Sequence, residues 1–120
     1  MVKHVIVERP LPERVEEFVA CAMELRRVMT ARGWEQYTAW RATPADEGEP
    51  TMFNVGILGR AVPFDPELVL LECTFDDRAA LEAQLEAMRN DHDVVKIILR
   101  AFDMVDASAS RAYVLEDWWP

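Results

Sequence analysis

Residues 68–75 read Leu-Val-Leu-Leu-Glu-Cys-Thr-Phe, and this stretch decides the fold. Branched aliphatic and aromatic side chains dominate it, and such side chains favour a pleated, half-buried strand. Asp76 or Asp77 follows at once, in the place where an aspartate caps the N-terminus of a helix. Apolar residues then recur at helical spacing up to residue 89. The chain therefore passes here from a strand directly into a helix.

The first forty residues predict a strand, a long helix and a second strand. Residues 3–8 are rich in Val and Ile, which indicates a strand. Pro12 in the first turn marks the start of the predicted helix, and Gly33 as the C-cap marks its end. Residues 34–41 are rich in aromatic side chains and predict the second strand. The helix carries one apolar stripe at helical spacing, made of Val15, Phe18, Val19, Ala22, Leu25, Val28 and Met29.

The rest of the chain predicts an insertion, a short helix and a last strand. Residues 43–67 are long for a connection between paired strands, and residues 51–58 within them suit a strand extension or a hairpin arm. Asp93 is predicted to cap a helix over residues 94–102, and residues 110–116 form the last strand. The order is therefore β-α-β-β-α-β. It predicts an α+β, ferredoxin-like sandwich with an insertion between strands 2 and 3.

Length and composition bound the class of protein. At 120 residues, of which 51% are hydrophobic, the chain is expected to form one domain over residues 1–120. A net charge of −9 opposes binding to nucleic acid. No apolar run reaches the roughly 20 residues that span a bilayer, and we recognise no signal peptide, so we expect a cytoplasmic protein that binds no membrane. Cys21 and Cys73 are expected to be buried free thiols, and no zinc-ligand spacing is present.

Three segments carry a resemblance to a known superfamily: residues 2–9, the strand-to-helix junction at residues 70–78, and residues 88–92. With the order of elements, they resemble the dimeric α+β barrel superfamily, and within it the NIPSNAP-like and antibiotic-biosynthesis-monooxygenase-like proteins. The resemblance covers nearly the whole chain except residues 43–67. It implies a ferredoxin-like fold that pairs two sheets across a two-fold axis, and hence a homodimer.

The residue pattern also favours a dimer. Helices are expected to cover one face of the sheet. The other face would carry Ile6, Leu70 and either Trp34 or Trp40, an apolar patch that a second copy would bury. The tail that contains Trp118 is expected to pack over the partner subunit or over the mouth of a pocket.

The superfamily hosts several chemistries, so the resemblance does not choose the reaction. It includes cofactor-free quinone-forming oxygenases, polyketide cyclases, small-ring isomerases and haem enzymes. The haem-degrading members use an Asn, a Trp and a His at three places that here hold Glu8, Thr74 or Phe75, and Leu99. The histidine ligand is missing, so the resemblance implies no haem, and we expect no cofactor.

Alternation along the strands places His4 and Glu8 on one face of strand 1, and Glu72 and Thr74 on one face of strand 3. We expect these mixed faces to look toward the partner sheet or a cavity, because the purely apolar faces suit the helices. Strands 1 and 3 are neighbours in a ferredoxin-like sheet, so His4 and Glu72 are candidates for an acid/base pair in which the carboxylate orients the imidazole. The register stays open, and the alternative is a polar pair that closes a dimer interface.

Aromatic residues suggest how a ligand would be held. Trp34, Tyr37 and Trp40 suit the wall of a pocket for an aromatic ligand, and Glu8 and Asn54 are candidates for polar contacts to it. The alternative for the rings is packing in the core and the interface, and for Asn54 a turn.

Three functions of different class follow. The first is a cofactor-free oxygenase, cyclase or isomerase that acts on an aromatic or polyketide-like metabolite, with His4 as acid/base and Glu72 as its orienting group. The second is a non-catalytic ligand-binding or accessory dimer of a biosynthetic pathway, and the third is a purely structural dimer. A metal site formed by His4, Glu8 and Glu72 is a weaker alternative. The feature that separates these functions is whether the strand faces and the rings enclose an open space.

Overall fold

The computed structural model describes residues 1–41 and 68–117. The strands are β1 (Val2–Glu8), β2 (Thr38–Arg41), β3 (Val69–Phe75) and β4 (Arg111–Glu116). The helices are α1 (Val15–Ala31), α2 (Arg78–Arg89) and α3 (His92–Phe102), with short 3-10 turns at Pro12–Arg14 and Ala107–Ala109. The insertion at residues 43–67, with its predicted strand, and the Trp118 tail lie outside the described residues.

The sheet has the predicted ferredoxin-like topology. Its four strands lie in the order β2-β3-β1-β4, and every neighbouring pair is antiparallel. The two central strands are β1 and β3, as expected for this fold. The chain is therefore α+β, with helices that pack against one face of an antiparallel sheet.

Local sequence signals explain where the helices begin and end. Asp77 caps α2, and its side chain accepts a hydrogen bond of 2.8 Å from the backbone of Ala80. Gly33 has φ +72° just after α1, a left-handed conformation that glycine adopts without strain. The predicted cap of α3 is wrong by two residues. Asp91 accepts from the Asp93 and Val94 amides, whereas the carboxylate of Asp93 pairs with the guanidinium of Arg32, the residue that follows α1.

The second strand is shorter than predicted. Residues 34–37 do not pair with β3, and β2 begins at Thr38. The backbone amide of Trp34 donates to Met29 instead, which folds the chain back over the end of α1. This short segment carries side chains into the layer between the sheet and the helices.

The buried side chains of the described residues form three groups, and the smallest joins the three helices through Met29, Met88 and Val94. Leu81 of α2 packs on Val2, Cys73 and Phe75, so α2 lies directly on the sheet. The second group joins α1 to α3 and consists of Phe18, Cys21, Ile97, Met104 and Val105.

The apolar stripe predicted on α1 is partly wrong. Val15 and Val19 are 41% and 50% exposed, because the buried face of α1 is the one that carries Phe18 and Cys21 toward α3. Both cysteines are buried free thiols, as predicted. Within the described ranges, no helix is long and apolar enough to cross a membrane.

Candidate functional site

The strand register separates the predicted acid/base pair. Residues that face each other across an antiparallel pair share one side of the sheet. His4 lies opposite Cys73, on the side covered by the helices, whereas Glu72 lies opposite Val5 on the open side. The prediction that His4 and Glu72 share a face is therefore wrong. The physical reason is that Val2 pairs with Phe75 and both pack under α2, which turns His4 inward as well.

Glu72 has a different partner. Its carboxylate lies 2.6 Å from the Nζ of Lys3, and both side chains are partly exposed on the open face of the sheet. The carboxylate therefore neutralises an ammonium group and does not orient the imidazole of His4. The weaker metal alternative fails for the same reason, since His4 and Glu72 cannot reach one ion through the sheet. Within residues 1–41 and 68–117, no group of three or more His, Cys, Asp or Glu side chains is placed to hold a metal ion.

His4 is 9% exposed and is hydrogen-bonded within the core. Its Nδ1 lies 2.6 Å from the hydroxyl of Tyr37, and the two rings meet edge to face at 5.8 Å. Burial lowers the pKa of His4, and burial also raises the pKa of Tyr37 above its ordinary value. At neutral pH the hydrogen bond therefore joins a neutral imidazole to a neutral phenol.

Gln84 holds the segment that carries Tyr37. Its side chain is buried on the sheet-facing side of α2 and bonds twice to the backbone of Glu35. It accepts from the amide at 2.8 Å and donates to the carbonyl at 3.0 Å. We did not identify Gln84 from the sequence. A signal was present, because Gln84 is a polar residue at the helical spacing of the apolar residues Leu81 and Met88.

Cys73 lies opposite His4 in the register and is also buried. Burial, with a further contribution from the negative charge of Glu35, raises the pKa of the Cys73 thiol to about 11. The thiol is therefore protonated at neutral pH and is a poor nucleophile. The layer under α2 thus contains a neutral, hydrogen-bonded polar cluster.

Glu8 lies on the same face as His4 but at the other end of β1, about 13 Å along the strand. The hydroxyl of Ser110 donates to its Oε2 at 2.5 Å. A cavity of about 60 Å³, open to the solvent on one side, lies beside it, between the end of β1 and helices α1 and α3. The other residues that line this cavity are apolar: Phe18, Ile98, Ala101, Phe102 and Val105. The structure thus places Glu8, a predicted ligand contact, on the wall of an apolar cavity.

A second hollow of about 310 Å³ lies between α1 and α3. Its walls are mostly charged, and Glu24 and Arg100 pair across it at 2.6 Å. It faces away from the sheet and contains no residue of the predicted site.

The three predicted ring residues do not line one pocket. Trp34 and Tyr37 pack between the helices and the sheet, beside Met29 and Met88. Trp40 lies opposite Leu70 on the open face and is 56% exposed. Asn54, the remaining predicted contact, lies outside the described residues.

The open face of the sheet mixes apolar residues with polar and charged ones, and of the apolar residues predicted for it Leu70 and Trp40 lie there. Tyr113 and Leu115 are about half exposed there on β4, at the edge of the sheet opposite to Trp40 of β2. Ile6 was expected on this face, but it lies opposite Leu71 on the helix side. Trp34, the alternative to Trp40, precedes β2. No helix of the described residues covers this face.

Comparisons with known proteins concern the fold. No protein family and no curated protein matches the sequence. An uncharacterised NIPSNAP domain protein from Burkholderia xenovorans superposes with a TM-score of 0.68 at 13% sequence identity, over 100% of this chain and 99% of that chain. An antibiotic biosynthesis monooxygenase superposes with a TM-score of 0.62 at 13% identity, over 98% of both chains.

A third neighbour is a dimeric ferredoxin-like protein of unknown function from Jannaschia sp. CCS1. It superposes with a TM-score of 0.60 at 16% identity, over 97% of this chain and 98% of that chain. These likenesses confirm the resemblance to the dimeric α+β barrel proteins at the level of the fold. They do not choose a reaction, because this fold hosts several.

Proposed function

We propose that this chain forms a homodimeric, cofactor-independent enzyme of the cytoplasm, an oxygenase, cyclase or isomerase that acts on an aromatic or polyketide-like metabolite. One observation carries the proposal. An apolar cavity lies between the sheet and the helices, and the carboxylate of Glu8 stands on its wall. Apolar walls with one placed polar group are typical of small-molecule sites.

Glu8 is the residue that we assign to proton transfer. Ser110 binds one oxygen of its carboxylate, which fixes the orientation of the group and leaves the other oxygen free to accept. A ligand hydroxyl, or an acidic C–H beside a carbonyl, would lose its proton to this oxygen and regain one at another position. Isomerisation and cyclisation need no further reagent, and an oxygenation would use dioxygen as the second substrate. His4 is not assigned this role, because its Nδ1 is occupied by Tyr37 in the core.

The homodimer follows from the open face of the sheet. Trp40 at one edge of the sheet, and Tyr113 and Leu115 at the other edge, expose apolar surface on this face that water would solvate poorly. A second copy placed face to face would bury it, as the resemblance implies. The Lys3–Glu72 ion pair would then lie in the interface and would favour one register over others.

A non-catalytic ligand-binding dimer is the second candidate. The observation that favours it is the number of titratable groups at the cavity. Enzymes that move protons commonly place two acid/base groups at the reacting atoms. Among the described residues that line this cavity, Glu8 is the one with an ionisable side chain. A binder would need this group only as an anchor.

Turnover and binding by a Glu8→Gln variant distinguish the two functions. Purified protein is first examined by native mass spectrometry for a dimer that carries a co-purified small molecule. Wild type, Glu8→Gln and the control Glu13→Gln are then incubated with a panel of phenols and naphthols, because Glu13 is an exposed carboxylate away from the cavity. An enzyme predicts product with wild type and Glu13→Gln and a loss of about 100-fold or more with Glu8→Gln. Saturable binding without product would support the binder, and no binding by any protein would contradict both functions.

A further inference from the structure

We propose that the outer face of helix α1 is a self-association surface, which pairs antiparallel with the same face of a second copy of this chain. This contact is separate from the dimer through the open face of the sheet, because α1 belongs to the helical layer on the other side of the sheet. The inference therefore goes beyond the proposed function and does not depend on it.

Three large apolar side chains form an exposed ridge on α1. Val15, Val19 and Met23 are 41%, 50% and 55% exposed. They follow one another at intervals of four residues, so they lie close together on one face of the helix. The buried face of α1 is a different one, which carries Phe18 and Cys21 into the group shared with α3. The described part of the fold therefore leaves the ridge in contact with water, a surface that favours association.

Opposite charges stand at the two ends of this ridge. Glu16 lies in the first turn of α1, and Arg27 follows about three turns later, so both lie on the same flank of the ridge. Both are exposed, and within the described residues neither forms an ion pair. The charges on the inner side of α1 differ, since Glu24 pairs with Arg100 of α3 at 2.6 Å. The outer face is therefore acidic at one end, apolar in the middle and basic at the other end.

Such a face is complementary to itself about a two-fold axis. An antiparallel pair centred between Val19 and Met23 places Val19 of each helix level with Met23 of the other. The same centre brings Glu16 level with Arg27 of the second copy to within one residue, about 1.5 Å along the helix axis. The two-fold axis keeps both side chains on one flank, so two equivalent Glu16–Arg27 pairs form. A parallel pair would instead place like charges together, which opposes association.

The small extent of the face sets the strength of the contact. One pair of helices buries less than the roughly 1,200 Å² at which standard stable interfaces begin. We therefore expect a reversible association with a Kd on the order of 100 µM, which is absent at about 5 µM. The dimer through the sheet is then measured at the low concentration, and pairing through α1 increases the mass further at the high one. Chains that are monomeric at the low concentration would pair through α1 in the same way.

Sedimentation equilibrium of the full-length protein at about 5 µM and about 500 µM tests the inference. The variants are Glu16→Lys, Arg27→Glu and the double variant that exchanges the two charges. Each single variant sets like charges against each other twice and should weaken the association about 10-fold, whereas the double variant should restore it. Glu82→Lys is the matched control, because it makes the same change of net charge at an exposed position of α2 and should leave the association unchanged.

Restoration by the double variant would support the pairing of Glu16 with Arg27, since a change in net charge or in an unrelated contact would not be reversed. The inference is refuted if wild type has the same mass at both concentrations, or if the double variant associates as weakly as the single ones. An equal loss in Glu82→Lys would also overturn it. Trp40→Glu separates the two contacts, because it should lower the mass at about 5 µM and leave the increase between the two concentrations in place. Circular dichroism of each variant checks that the fold is retained.

Discussion

Gln84 is the residue whose replacement tests most directly how the polar cluster under α2 is held. Its side chain makes two hydrogen bonds to the backbone of Glu35, at 2.8 Å and 3.0 Å. Gln84→Met keeps the length and approximate volume of the side chain and removes both bonds. Each such bond stabilises a protein by about 0.5–1.5 kcal/mol net, so the free energy of unfolding should fall by about 1–3 kcal/mol. Glu35 is exposed, so water can rebind its backbone groups and no larger loss is expected.

Gln36→Met is the matched control for this change. It makes the same replacement at the residue after Glu35. The side chain of Gln36 donates one long hydrogen bond of 3.2 Å to the carbonyl of Trp34. The other polar atom of Gln36, Oε1, is buried without a hydrogen-bond partner among the described residues. Its removal relieves an uncompensated desolvation, so Gln36→Met should change the free energy of unfolding by less than about 0.5 kcal/mol, or stabilise the fold.

Urea denaturation at one fixed protein concentration measures both variants, because the stability of an oligomer depends on concentration. Amide hydrogen exchange supplies an independent readout. The Glu35 amide donates to Gln84, so it should be protected in wild type and exchange rapidly in Gln84→Met. The reasoning is refuted if Gln84→Met is as stable as Gln36→Met, or if the Glu35 amide keeps its protection.

Three further predictions concern pH, thiol reactivity and assembly. Because burial lowers the folded-state pKa of His4, the unfolded chain binds its proton more readily. Stability should therefore be fully present above about pH 6.5 and fall as the pH drops below that value. Urea midpoints from pH 8 to pH 5 measure this fall, and His4→Gln should flatten it. The Cys73 thiol, with a pKa of about 11, should react with a thiol reagent at pH 8 at the rate of unfolding, and fast reaction in the native state would contradict its burial. Trp40→Glu should convert the proposed dimer to a monomer in light scattering, whereas Met23→Glu, equally exposed on α1, should leave it intact.

The face of the sheet on which each polar residue of β1 lies could not be predicted from the sequence. Alternation along each strand correctly states which residues of that strand share a side. It does not state which side of the strand faces the helices. We assigned the helix side of β1 to Val5 and Val7, and the structure gives it to His4 and Glu8. Because of this one wrong assignment, the prediction that His4 and Glu72 form an acid/base pair failed.

The sequence by itself determined the identity, the order and most boundaries of the elements. Local physics is sufficient for these features, because a cap such as Asp77, a left-handed residue such as Gly33 and the period of apolar residues act over a few positions. The tertiary structure decided the register of β1 against β3, and with it the partners of His4, Glu72 and Glu8. Register is a property of contacts far apart in the chain, chosen by the packing of Val2, Phe75 and Leu81 as one group, and no local pattern contains that information.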